Sequence, residues 1–130
     1  MPWATASAKA GSRQTGPLAM AKPELPWLVT TTVATREQAD TLARAMVGWH
    51  LTACAQIEAI TSVYRWRGTV HEEDEYRITF KTMPQRFEQL KAALLAAHPY
   101  EQPVIEAQVM QAVDEVTAGW IAENSSGAPG

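Results

Sequence analysis

The stretch Thr61-Ser62-Val63-Tyr64-Arg65-Trp66-Arg67-Gly68, followed through Thr69-Val70-His71 by Glu72-Glu73-Asp74-Glu75-Tyr76-Arg77-Ile78-Thr79-Phe80-Lys81-Thr82, reads as one long β-hairpin. Tyr64, Trp66 and Gly68 fall on one side of the first strand, and Val63, Arg65 and Arg67 on the other. The acidic run Glu72–Glu75 lies near the turn. Beyond it Tyr76, Ile78 and Phe80 alternate with Arg77, Thr79 and Lys81, the two-residue period of a strand with one buried face.

Upstream, Trp27-Leu28-Val29-Thr30-Thr31-Thr32-Val33 is rich in β-branched residues and reads as a strand. Thr35 with Gln38 three residues on is a capping-box pattern. Ala39, Leu42, Ala43, Met46 and Val47 then recur at helical spacing until Gly48, with Trp49 as a packing residue at the end. Ala53 to Ile60 reads as a second strand. Downstream, Thr82 with Gln85 and Pro84 predicts a helix start, and Phe87, Leu90, Leu94 and Leu95 its apolar face. Val104 to Gln111 predicts a fourth main strand, and Asp114 to Asn124 a short terminal helix carrying Trp120.

The order β-α-β-β-α-β plus a terminal helix predicts an α+β, ferredoxin-like split βαβ fold, with both helices on one face of an antiparallel sheet. The other face is expected to present Trp, Tyr and β-branched residues, and so to need a partner. Residues 25–124 form the folded domain, flanked by a disordered tail over 1–24 and another over 125–130. Met20-Ala21-Lys22 resembles an internal start.

A chain of 130 residues with 46% hydrophobic content forms one domain with a real core. The net charge of -3 speaks against a nucleic-acid partner. One cysteine, Cys54, excludes a disulfide framework within the chain and fits a reducing compartment. In strand context it reads as a small buried residue. No run approaches the ~20 apolar residues of a membrane span. The N-terminal stretch lacks the apolar core of a signal peptide, so the cytoplasm is the expected location.

The run His98-Pro99-Tyr100-Glu101-Gln102-Pro103 places an imidazole, a phenol and a carboxylate between two prolines. Each proline fixes its own φ and pushes the preceding residue out of the helical region. His98 therefore ends the second helix, and the run is a stiff corner. An imidazole is a good copper or zinc ligand. At a helix C-terminus it also suits the unpaired carbonyls there, the favoured reading from the residues alone. His71 sits beside four consecutive carboxylates, which alternate faces in a strand and read as a solvated hairpin tip.

Leu51-Thr52-Ala53-Cys54-Ala55-Gln56-Ile57, Thr61 to Gly68, Lys81-Thr82 and His98 to Pro103 together resemble, in order and spacing, the CutA divalent-cation tolerance proteins over about residues 27–124. The resemblance implies a PII-like homotrimer in which the hairpin reaches a neighbouring subunit. It also implies a role in tolerance of copper or other divalent metals, and no enzymatic activity. Copper-binding proposals for the family use the His of His-Pro-Tyr, a His just before it, and a Cys at the end of the first strand. Here Ala97 and Thr31 stand at the last two positions, leaving His98 as the metal candidate. The resemblance further gathers Tyr64, Trp66, Lys81, Tyr100 and Glu101 at an inter-subunit cleft for a metal ion or small ligand. Two other readings compete with binding of this kind. A single-stranded RNA module would display strand aromatics on a basic sheet. A small enzyme would use His98 and Glu101 as acid and base.

Overall fold

The computed structural model describes residues 24–127. Its elements are β1 (Trp27–Val33), α1 (Arg36–Gly48), β2 (Cys54–Trp66), β3 (Thr69–Thr82), α2 (Phe87–Ala97), β4 (Glu106–Val109) and α3 (Glu115–Asn124). The sheet order is β2-β3-β1-β4, and every neighbouring pair is antiparallel. β1 and β2 thus run the same way with β3 between them, the split βαβ arrangement that the element order predicts.

Helix α1 starts as its sequence dictates. The Thr35 side chain accepts from the Gln38 backbone, and the Gln38 side chain accepts from the Thr35 N–H in return. Ala39, Leu42, Ala43 and Met46 then face Val29 and Val33 of β1, Ile78 and Phe80 of β3, and Leu90 and Leu94 of α2 in one core. Full burial of each large side chain is worth about 1.5–3 kcal/mol, so this layer of helices on sheet dominates the stability. A second cluster of Ala53, Met83 and Ile121, with Met110 and Trp120 against it, ties α3 to the sheet. Asp114 caps α3 through the Thr117 N–H at 3.0 Å.

The opposite sheet face corrects the expectation of an apolar surface. Leu28, Thr30 and Thr32 of β1 and Arg77, Thr79 and Lys81 of β3 occupy its centre, each half-buried in the single chain. Threonine is β-branched and so favours the strand, yet it brings a hydroxyl rather than apolar area. Several exposed apolar side chains lie on the hairpin arm, where Val63, Trp66 and Val70 are more than half exposed.

The arm itself is built differently from expectation. β2 runs without a break from Cys54 to Trp66, and a two-residue turn at Arg67-Gly68 joins it to β3. Arg67 has φ 52° and Gly68 φ 79°, the paired positive dihedrals of a type I′ turn, whose twist matches that of the flanking strands. The acidic run therefore lies along β3, away from the turn. The start of α2 also differs: Pro84–Arg86 form a 3-10 turn without a side-chain cap. The Thr82 hydroxyl donates instead to the Leu51 carbonyl at 2.8 Å, with Thr82 fully buried. The fourth strand is shorter than predicted, pairing only over Glu106–Val109. Trp49 is 56% exposed rather than packed.

At the C-terminal end, the segment predicted as tail begins within the fold. Ser125 is buried and donates to the Ile121 carbonyl, while the Gly127 N–H donates to the His50 carbonyl at 2.7 Å. Of the tail predicted over 1–24, residues 1–23 with the internal start at Met20 lie outside the described residues, as do residues 128–130.

Candidate functional site

The corner between α2 and β4 organises the site. α2 ends at Ala97, and His98 turns to extended geometry at φ -71°, ψ 137° as the following proline requires. The ring of His98 is buried and reaches Thr31 in the middle of β1, with Nε2 to Oγ1 at 3.0 Å. The Tyr100 backbone N–H donates to Nδ1 at 3.0 Å. An N–H can only donate, so Nδ1 carries no proton, and the neutral ring keeps its proton on Nε2 and donates it to Thr31. Burial pushes the imidazole below its ordinary value, against a smaller opposite pull from the Thr32 backbone.

His98 is thus not a helix-end cation satisfying carbonyls, as the residues alone suggest. It is a neutral clasp between the corner and the sheet. Neutrality is the state that ligates metal, but both nitrogens already have partners. A metal at Nε2 would displace a proton and the Thr31 bond. The resemblance correctly brings position 31 next to His98, and the hydroxyl there makes a hydrogen bond in place of a thiolate. Among the described residues no group of three or more His, Cys, Asp or Glu side chains is gathered as a metal would need. Cys54 is buried, as its strand context predicts.

Beyond His98 the corner carries Tyr100 to the helix-free face of the sheet. There the Tyr100 hydroxyl donates to Glu75 Oε2 at 3.0 Å. Ser62 donates to the other oxygen, Oε1, at 2.8 Å. One residue pair further out, the Tyr64 hydroxyl donates to Glu73 Oε1 at 2.7 Å. Strand alternation explains the grouping: Ser62 and Tyr64 on β2, and Glu73 and Glu75 on β3, share one face. The tip of the arm adds Trp66, with the Arg67 guanidinium 5.4 Å from its ring centroid. The His71 ring stacks on Tyr64 at 5.5 Å between centroids, so His71 belongs to the arm's packing rather than to a free acidic tip.

These side chains border a cleft of about 750 Å³, whose other wall is Tyr100, Glu101, Gln102 and Val104. Tyr64, Trp66, Tyr100 and Glu101 are therefore brought together as predicted. Lys81 is not: it lies about 20 Å down β3 from Glu75 at roughly 3.3 Å per residue. Its carbonyl accepts from the Ala53 N–H and the Thr52 hydroxyl. Glu73 and Glu75 are the residues that sequence reasoning missed. Their i, i+2 spacing was the available signal, since every second side chain of a strand shares a face.

The cleft is acidic. Glu73, Glu75 and Glu101 line it against Arg67 alone, and none of the three enters an ion pair among the described residues. Burial first, and then the Glu75 carboxylate, raise the Tyr100 phenol far above its ordinary value. The Glu73 bond likewise raises that of Tyr64. Both phenols are therefore held protonated as donors. The acidity opposes the RNA-module reading, which needs a basic sheet. Tyr76, a strand aromatic of β3, packs against the core on the helix side.

An α+β sheet of this order, with a projecting arm and a cleft at its base, defines a small α+β protein of split βαβ topology. The chain belongs to the CutA1 divalent ion tolerance protein family, whose model matches residues 27–124. It is 37% identical to the divalent-cation tolerance protein CutA of Thermus thermophilus over 99 residues, 75% of this chain and 96% of that protein. The solved structure of the Thermus thermophilus divalent cation tolerance protein superposes with a TM-score of 0.74 at 36% identity, covering 78% of this chain and 99% of that one. CutA from Synechococcus elongatus gives a TM-score of 0.76 at 31% identity, covering 81% and 94%.

Proposed function

We propose that this chain serves divalent-cation tolerance by binding rather than by turnover, as a cytoplasmic, PII-like homotrimer whose clefts take a metal ion such as copper or a small ligand. The cleft carries this reading. Its size lies within the roughly 300–1,000 Å³ of small-molecule sites, and it combines aromatic walls with a few fixed polar groups. The Tyr100–Glu75 bond closes it by tying the corner to the base of the arm. No arrangement of nucleophile, base and orienting group surrounds it among the described residues. The Ser62 hydroxyl is bonded to a carboxylate rather than to an imidazole.

The arm supports the trimer. A two-stranded hairpin standing alone is marginally stable in water. This one exposes Val63 and Val70 on one side and Trp66 on the other. A neighbouring subunit against the arm would bury them and add walls to the cleft. The buried lone thiol of Cys54 is consistent with a reducing location.

Copper titration of the wild type and of His98→Ala tests the metal arm of the reading. Affinity lost in the variant assigns His98 to the site, and identical isotherms remove it. Quenching or shifting of Trp66 emission by ligand, absent in Trp66→Leu, tests the cleft. A cleft silent to metals and to small molecules alike would overturn the reading.

A further inference from the structure

On the reading that the cleft is a binding site, we infer that its ligand is an organic cation: an ammonium or guanidinium group carrying apolar substituents. Three features of the cleft select this chemistry. The first is charge. Glu73, Glu75 and Glu101 face Arg67 as the single cationic side chain of the lining. Glu101 has no hydrogen-bond or ion-pair partner among the described residues. An anion entering here meets net repulsion. A neutral ligand would strip water from the carboxylates without replacing it.

The second feature is how the carboxylates are already committed. Both oxygens of Glu75 accept hydroxyl protons, from Ser62 and Tyr100, and one oxygen of Glu73 accepts from Tyr64. A hard divalent ion needs six or more oxygens converging at about 2.0–2.6 Å. To gather them it would have to break these bonds. An organic cation needs only the field of the carboxylates and one or two N–H contacts, which leaves the existing bonds intact.

The third feature is the walls. Trp66, Tyr64 and Tyr100 present aromatic surface beside the carboxylates, and a weakly hydrated cation is attracted to such faces. The chain shows this chemistry in place, since the Arg67 guanidinium lies 5.4 Å from the Trp66 ring centroid. A ligand cation would compete with Arg67 for that ring or take the neighbouring phenol faces.

The test is titration of the full chain with choline, benzyltrimethylammonium and agmatine, read by the indole NMR signal of Trp66, assigned through Trp66→Leu. The neutral isostere 3,3-dimethyl-1-butanol and Cu²⁺ serve as comparison ligands. At least one cation should shift the signal saturably, with the neutral alcohol about tenfold weaker. Glu101→Gln should weaken the cation about fivefold and leave the alcohol unchanged. Both substituted positions are exposed, and unchanged melting confirms that each variant is folded. No shift by any of the three cations up to about 10 mM overturns the inference, as does equal binding of the alcohol. A Trp66 shift by Cu²⁺ alone overturns it while leaving the cleft a binding site. A signal silent to every ligand overturns both readings.

Discussion

Thr31 and His98, sixty-seven positions apart, meet in a buried 3.0 Å hydrogen bond that fastens the α2–β4 corner to the central region of the sheet. The Tyr100 N–H on the other ring nitrogen extends the fastening into the corner, and the Tyr100 hydroxyl carries it on to Glu75. One short path thus links the helix layer to the cleft on the opposite face.

Removing the acceptor tests the clasp. Thr31→Val keeps the shape and removes the 3.0 Å hydroxyl partner of His98 Nε2 in a buried site. Such a loss costs about 1–3 kcal/mol. Chemical denaturation should show the midpoint falling while the slope stays constant. A midpoint equal to wild type would mean that the bond contributes nothing.

The same clasp predicts an acid-sensitive component of stability. The folded His98 pKa is lowered, so the unfolded chain binds more protons than the folded one once pH drops below the ordinary 6.5. Stability should be fully present above that value, fall as pH drops through it, and level off below the lowered folded pKa. His98→Gln should flatten this component of the pH–stability curve between about 6.5 and acid. A variant curve parallel to wild type would refute the assignment.

Thr31→Cys should create a site that the wild type lacks. A thiol would then stand beside the imidazole, pairing two donors suited to copper or zinc. Competition assays should show zinc or copper affinity rising by about tenfold or more per added soft ligand, with proton release on binding. An unchanged affinity would show that the backbone holds the two side chains too rigidly to share a metal.

Tyr100→Phe deletes the bond to Glu75 while preserving the ring. A hydrogen bond to a charged acceptor is worth about 1.5–3 kcal/mol, and the partial exposure here puts the expected loss at the low end. The raised phenol pKa has a second consequence. Stability is present below the ordinary value of 10.0 and lost as pH rises through the folded value. Alkaline spectrophotometric titration should therefore lose its latest phenolate step in the variant. A step that persists would assign the late titration elsewhere.

The assembly is tested by mass in solution, expected at three times the 14.3 kDa of the chain. The arm is tested by Gly68→Val, which forces a β-branched residue into φ 79°. A cost of about 1–2 kcal/mol per residue follows from left-handed sterics. It should appear as loss of the Tyr64–His71 ring contact by NMR and as weaker association. A trimer of unchanged affinity would detach the arm from assembly.

What the sequence made legible was local and periodic. The capping box at Thr35 and Gln38, the strand alternation of Tyr76, Ile78 and Phe80, and the proline stop after His98 all appear in the fold, because each depends on neighbours within a turn or two of chain. The misses have long-range causes. The Arg67-Gly68 turn escaped because arginine rarely takes positive φ, and only the pairing of Trp66 with Thr69 forces it there. The Thr82 hydroxyl suits a helix cap, yet the carbonyl of Leu51, on another segment, accepts from it. The helix-free face is less apolar than its β-branched residues suggest, because threonine favours a strand without adding apolar area. For the cleft, the aromatic and Glu101 walls were legible through family resemblance. Glu73 and Glu75 needed the register of β3, and Lys81 belonged to the wrong end of that strand.

The acidic run along β3 has one more implication. A slip of a single residue in pairing would exchange Glu73 and Glu75 for Glu72 and Asp74 at the cleft, because it flips every side chain to the other face. The charge there would hardly change, so electrostatics cannot police the alignment. The hydroxyls can, because a slip would put the shorter Asp74 where Glu75 now accepts from both Ser62 and Tyr100. Tyr100 and Ser62 thereby act as proofreaders of strand pairing as well as walls of the cleft. Their loss should show first as heterogeneity in the arm rather than as a weaker core.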